Sequence, residues 1–127
     1  MKWSSLCLLI AGLLPVVCAG IAKTGFKDYD NHDPRAWLAR TTGFRARANA
    51  AQANSFEAFP FLASGVLLAL HAGVDSARVD ALAVAFVLAR LAYIACYVAD
   101  LATLRSLVWT VGMGCVVALH VGALLVG

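Results

Sequence analysis

Four long apolar runs leave this chain few ways to fold, because each is long enough to cross a lipid bilayer. The first, Trp3 to Ala22, holds no charged residue over 20 positions. At about 1.5 Å per helical residue such a run spans roughly 30 Å, the thickness of the hydrocarbon layer. The other three fall at about 48–71, 79–98 and 106–126. Hydrocarbon offers no partner to a backbone N–H or C=O, so each run must close its own hydrogen bonds as a helix. Short connections after the second and third runs force antiparallel neighbours. The expected fold class is therefore all-α, an integral membrane four-helix up-down bundle, with 1–127 as one membrane domain. Composition agrees, since 62% of residues are hydrophobic and 13% charged. A soluble domain lies nearer about half and about a quarter, and a globule this small cannot hide the excess.

The first run has a rival reading as a secretory signal, with Met1-Lys2 as its basic start and Val17-Cys18-Ala19-Gly20 as its end. It is longer than a signal core, and Val17 before Cys18 suits a lipoprotein signal poorly, so a retained helix is expected. Residues 23–47 form the one long polar segment. Asp33-Pro34 reads as an N-cap followed by proline at the first helical position. A helix over 34–47, carrying Trp37, Leu38 and Phe44 among its arginines, is expected to lie at the interface and run into the second span. Gly73 is placed to end that span, Asp75 or Ser76 to cap the third, and Asp100 or Thr103 to cap the fourth.

Charge placement sets the orientation. Lys23, Lys27, Arg35, Arg40, Arg45 and Arg47 lie in the first connection and Arg105 in the third, against Lys2 and Arg78 on the other side. The positive-inside rule then puts the first and third connections in the cytoplasm of a bacterial inner membrane or its equivalent. Beside apolar spans, this basic cluster reads as a cytoplasmic loop rather than a nucleic-acid surface. Cys7, Cys18, Cys96 and Cys115 all lie in apolar stretches without a CxxC pair, so they read as small hydrophobes and not as a disulfide framework or zinc site. His32, His71 and His120 form no metal pair and no Ser-His-Asp order. No metal is expected. Gly112-Met113-Gly114 reads as close helix packing.

The informative residues are the polar ones within the spans. Glu57 and Arg90 each carry an insertion penalty of roughly 2.5–3.5 kcal/mol at the centre of a helix, and something must offset it. At about 100° per residue, Arg47, Asn54 and Glu57 fall within roughly 80° of one another. Arg90, Tyr93, Tyr97 and Asp100 do the same on the third span. The simplest arrangement has the two stripes facing each other, with Glu57 paired to Arg90 or Arg47. Such a seam either glues helices together or lines a functional cleft.

Two stretches resemble the MAPEG family, the membrane-associated proteins of eicosanoid and glutathione metabolism. Ala51-Gln52-Ala53-Asn54-Ser55-Phe56-Glu57-Ala58-Phe59-Pro60 is similar to that family's Asn-x-x-Glu-x-x-Pro element at the start of the second span. Arg90-Leu91-Ala92-Tyr93 with Tyr97 and Arg105 is similar to its third-span tyrosines and the arginine that opens the fourth. The resemblance implies a homotrimer with glutathione bound between neighbouring subunits near the cytoplasmic side. It implies that Asn54, Glu57, Arg90, Tyr93 and Tyr97 line the glutathione site and that Arg105 activates the thiol. The family arginine four residues before the asparagine is Ala50 here, and Arg47, one turn earlier on the same face, is the candidate replacement. Three functions stay open. The first is a glutathione-dependent transferase or peroxidase acting on lipophilic small molecules in the membrane. The second is a non-catalytic lipid-binding or scaffolding member. The third, a small transporter, finds no internal repeat to support it.

Overall fold

The computed structural model describes residues 3–127, and Lys2, used above as an orienting charge, lies outside them. The described residues are helical, without strands. They form α1 (Trp3–Lys23), a short α2 (Pro34–Ala39), α3 (Gly43–Ala72), α4 (Ser76–Val98) and α5 (Ala102–Val126). Helices α1, α3, α4 and α5 are each long and apolar enough to cross a membrane.

Three boundaries differ from the sequence expectation, each for a local reason. The expected helix over 34–47 breaks after Ala39. The Thr41 hydroxyl bonds back to the Leu38 carbonyl at 2.6 Å, Thr42 is extended, and Gly43 takes a left-handed φ of 63°. Two β-branched residues and a glycine thus unwind one turn, and α3 starts at Gly43 rather than near Ala48. At the other end, neither Asp100 nor Thr103 caps the last helix. Asp100 adopts a left-handed φ of 62°, and Leu101 N–H bonds to the Cys96 carbonyl at 2.8 Å. That closes α4 in a Schellman-type turn and lets α5 begin at Ala102, which moves Arg105 from the connection into the first turn of a helix.

Gly73 ends α3 with a φ of 86°, and Asp75 caps α4 by accepting from Arg78 N–H. Pairings across the bundle fix the directions. Gly12 of α1 faces Phe59 of α3 and Ala22 packs with Ala48, so these helices are antiparallel. Gly112 of α5 faces Phe86 and Ala89 of α4. Asp80 of α4 accepts from the backbone N–H groups of Trp3 and Ser4 at 3.2 and 2.8 Å, placing a carboxylate on the positive end of α1. The core holds Leu62, Val66, Val79, Ala83, Phe86, Val116 and Leu119. Large residues also cover the outside: Leu9, Leu67, Leu88 and Leu107 are each more than half exposed. In water such a surface aggregates, whereas in a bilayer it is the face that acyl chains meet. All four cysteines are buried and free.

One glycine has a defined task. His120 of α5 donates from Nδ1 to the Val116 carbonyl at 2.9 Å, and its Nε2 lies 3.2 Å from the Ser64 hydroxyl. The ring fills the space over Gly65, where a Cβ would stand 2.9 Å from Cε1 and 3.3 Å from the Leu119 Cβ. Gly65→Ala is expected to lower stability in detergent by about 1–3 kcal/mol through overpacking. The double change Gly65→Ala with His120→Ala should recover part of that loss. A single variant that melts like the parent would show that the ring moves freely.

A candidate functional site built from one polar seam

A buried guanidinium organises the polar end of the bundle. Arg90 is 3% exposed, too deep for water, so its N–H groups need acceptors inside the protein. Nη1 donates to Asn54 Oδ1 at 2.7 Å and Nη2 donates to Ser55 Oγ at 2.9 Å. Its Cζ lies 4.1 Å from the centroid of the Tyr93 ring, one turn along α4, where the π-face favours a desolvated cation. Two adjacent residues of α3 thus hold the two arms of one residue of α4.

This geometry corrects the expected ion pair. Glu57 is joined to Arg90 through Asn54, whose Nδ2 donates to Glu57 Oε2 over a long 3.5 Å. The Glu57 side chain projects from the exposed face of α3, whereas Arg90 points inward. Arg47 does not reach Glu57 either. Its Nε and Nη2 both donate to the Val98 carbonyl, at 3.2 and 3.0 Å. There it satisfies a terminal carbonyl of α4 and meets the negative end of that helix.

From Arg90 the seam runs outward in alternating cations and rings. Tyr93 is 5% exposed and meets Tyr97 edge to face, with centroids 5.6 Å apart and planes at 85°. Arg105 places its Cζ 4.4 Å from the Tyr97 centroid. Residues 90, 93 and 97 share one face of α4 because helical neighbours recur at three and four positions. Arg105 joins them because the turn at Asp100, two residues before α5 starts, reverses the chain. The ladder therefore leads from a buried guanidinium to a half-buried one at the polar end. A guanidinium held by ring stacking keeps its donors free for an anion, and phenols supply further O–H donors.

Of the residues singled out from sequence, Asn54, Arg90, Tyr93, Tyr97 and Arg105 fall on this one line. Glu57 attaches to its edge, and Arg47 lies at the same end of the bundle but is engaged elsewhere. Ser55 was missed: it is 3% exposed and carries one arm of Arg90. A serine in a membrane helix gives no signal by itself, and only the register of α4 reveals its partner. Ala50 opens onto a groove of about 450 Å³ on the outer face of α3, lined also by Arg35, Asn49, Gln52 and Phe56. The Gln52 side-chain oxygen there is buried without a hydrogen-bond partner among the described residues. Among those residues no group of three or more His, Cys, Asp or Glu is placed to hold a metal ion.

Fold and seam together define a multi-pass integral membrane protein with a polar, cation-rich site at one end of a four-helix bundle. The chain belongs to the MAPEG family, whose family model matches residues 4–125 of 127. Comparison with curated proteins and with solved structures finds no significant match.

Proposed function

We propose that this protein is a glutathione-dependent transferase or peroxidase acting on lipophilic electrophiles, and that it works as a homotrimer with the polar end toward the cytoplasm. The observation that carries this reading is the ladder Arg90–Tyr93–Tyr97–Arg105, which ends in a half-buried guanidinium whose donors make no hydrogen bond among the described residues. A free thiol has a pKa of about 8.5 and is mostly protonated at neutral pH, and a nearby guanidinium favours the nucleophilic thiolate. In this role Arg105 holds the glutathione sulfur as thiolate, and the phenols of Tyr93 and Tyr97 orient the tripeptide. Glu57 accepts from its amino end, and Asn54 Nδ2 steadies the Glu57 carboxylate from the other side. The thiolate then attacks the electrophilic atom of a substrate that arrives from the lipid, and that atom's leaving group departs.

Two features support the trimer. Glu57 is an exposed carboxylate on a membrane-spanning helix, which lipid alone tolerates poorly. The groove beside it presents the polar side chains of Arg35 and Asn49. A neighbouring subunit laid against this face of α3 removes both from lipid and completes a site between subunits.

The test is titration of the purified protein with glutathione, with oligomeric state measured in parallel. Saturable thiolate absorbance and trimers are the expected result, and no binding at millimolar glutathione rejects the reading. A second reading, a non-catalytic lipid-binding or scaffolding protein, is favoured by one specific observation. Ala50 carries no charge, and Arg47 and Arg90 are both engaged within the protein, so fewer cations face a ligand's carboxylates. On that reading, trimers bind lipid or a protein partner without glutathione.

A further inference from the structure

We infer that Ser55 is a positioning residue for the thiol site, acting through Arg90 to fix Asn54 and the first ring of the ladder. This rests on the glutathione reading above. Ser55 itself faces the interior and is 3% exposed. Its effect runs through the guanidinium. Arg90 has two arms in hydrogen bonds, one to Ser55 at 2.9 Å and one to Asn54 at 2.7 Å, and its plane lies over Tyr93 at 4.1 Å. With both arms held, the guanidinium cannot rotate about its last side-chain bond. That immobility has two consequences at the site.

The first concerns Asn54. Its Oδ1 accepts from Arg90, so its Nδ2 must face the other way, toward Glu57 Oε2. Arg90 therefore decides which end of the Asn54 amide, donor or acceptor, is turned to the open edge of the seam. The second concerns Tyr93. A cation fixed over its ring sets the ring's tilt, and the edge-to-face contact passes that tilt to Tyr97, on which Arg105 stacks. Loss of the Ser55 hydroxyl frees one arm of a buried cation. Arg90 must then turn to find another acceptor, and both Asn54 and Tyr93 follow it. A site whose groups are displaced by a fraction of an ångström loses affinity even though each group is still present.

The experiment compares Ser55→Ala and Ser55→Thr with the parent, using glutathione and chlorodinitrobenzene on the trimeric protein in detergent. Ser55→Ala is expected to raise the glutathione dissociation constant about tenfold, the scale of one lost hydrogen bond to a charged group. Turnover at saturating glutathione should fall less than the affinity does, because the Arg105 guanidinium itself is retained and only its ring support shifts. Ser55→Thr keeps the hydroxyl and should restore the affinity. A purely structural serine predicts a lower melting point with an unchanged dissociation constant, and that result overturns the inference. So does a threonine variant as weak as the alanine one. Where Ser55→Ala fails to fold, Arg90→Lys asks the same question, since an ammonium keeps the charge but loses the two-armed hold. It should weaken glutathione binding to a similar degree, and unchanged binding overturns the inference. Failure of the parent protein to bind glutathione rejects the underlying reading and this inference with it, whereas binding by the parent that is indifferent to Ser55→Ala rejects this inference alone.

Discussion

Arg105→Ala is expected to lower kcat/KM for glutathione conjugation by about 10²–10³-fold, the usual effect of deleting one charged or hydrogen-bonding group that stabilises a reacting anion. Arg105 is the half-buried cation of the ladder, stacked on the Tyr97 ring, and among the described residues its guanidinium donors make no hydrogen bond. On the proposed glutathione reading, its loss leaves the sulfur without the adjacent guanidinium that holds its charge. The pH dependence should change with it. In the parent, a thiol already ionised at neutral pH gives a rate that is nearly flat above neutrality. In the alanine variant the rate should climb with pH toward the ordinary thiol pKa of about 8.5, because only the thiolate attacks. Arg105→Lys restores a charge but not the planar stacking on Tyr97, so it should recover part of the rate. Arg105 lies in the first turn of α5, with its backbone N–H bonded to the Leu101 carbonyl at 2.9 Å. The fold should therefore survive, and stability should change by no more than about 1 kcal/mol, the scale of one partly exposed cation–ring contact. An alanine variant with parental rate and a parental pH profile would remove Arg105 from the chemistry.

Much of this architecture was legible because lipid imposes harsh rules on a sequence. Four apolar runs had to be helices, and Gly73 and Asp75 carried recognisable stop and start chemistry between two of them. What escaped were features set by backbone geometry at the ends of helices. The Thr41-Thr42-Gly43 break cuts a segment whose hydrophobic pattern reads as continuous, because the pattern records faces and not the hydroxyl that bonds back to Leu38. The start of α5 depends on a left-handed Asp100, a conformation aspartate adopts far more readily than most residues but seldom announces. The seam was legible as two stripes, because helical spacing alone puts residues 90, 93 and 97 on one face. Their pairing was not. Charge complementarity suggested Glu57 with Arg90, yet the actual acceptors are two neutral groups, Asn54 and Ser55. Complementary charge ranks partners by attraction, whereas in a packed interior the rotation of each helix decides which atoms come within 3 Å of one another. Arg47 illustrates the same point: its partner is a backbone carbonyl at the end of α4, which no reading of side-chain types can propose.

The identity of those acceptors predicts an energetic pattern opposite to that of an ion pair. Asn54→Leu deletes the 2.7 Å acceptor of Arg90 and leaves a buried cation with Ser55 and one aromatic face. The expected loss of stability in detergent is about 3 kcal/mol, at the level measured when a buried charge is stranded. Arg90→Leu alone strands only neutral groups, which find other partners more easily even in a membrane, so it should cost about 1–2 kcal/mol. Adding Arg90→Leu to Asn54→Leu removes the stranded charge, and the double variant should be more stable than Asn54→Leu by itself. Glu57→Leu provides the contrast. Its carboxylate projects from the surface and touches Asn54 only at 3.5 Å, so its coupling to Arg90→Leu, passed only through Asn54, should be far smaller than that between Asn54 and Arg90. Denaturant unfolding in mixed micelles measures all of these. Strong coupling between Glu57 and Arg90, with additivity between Asn54 and Arg90, would mean that the cation is held by the carboxylate after all. It would also mean that the site is built around an ion pair and not around an amide and a hydroxyl.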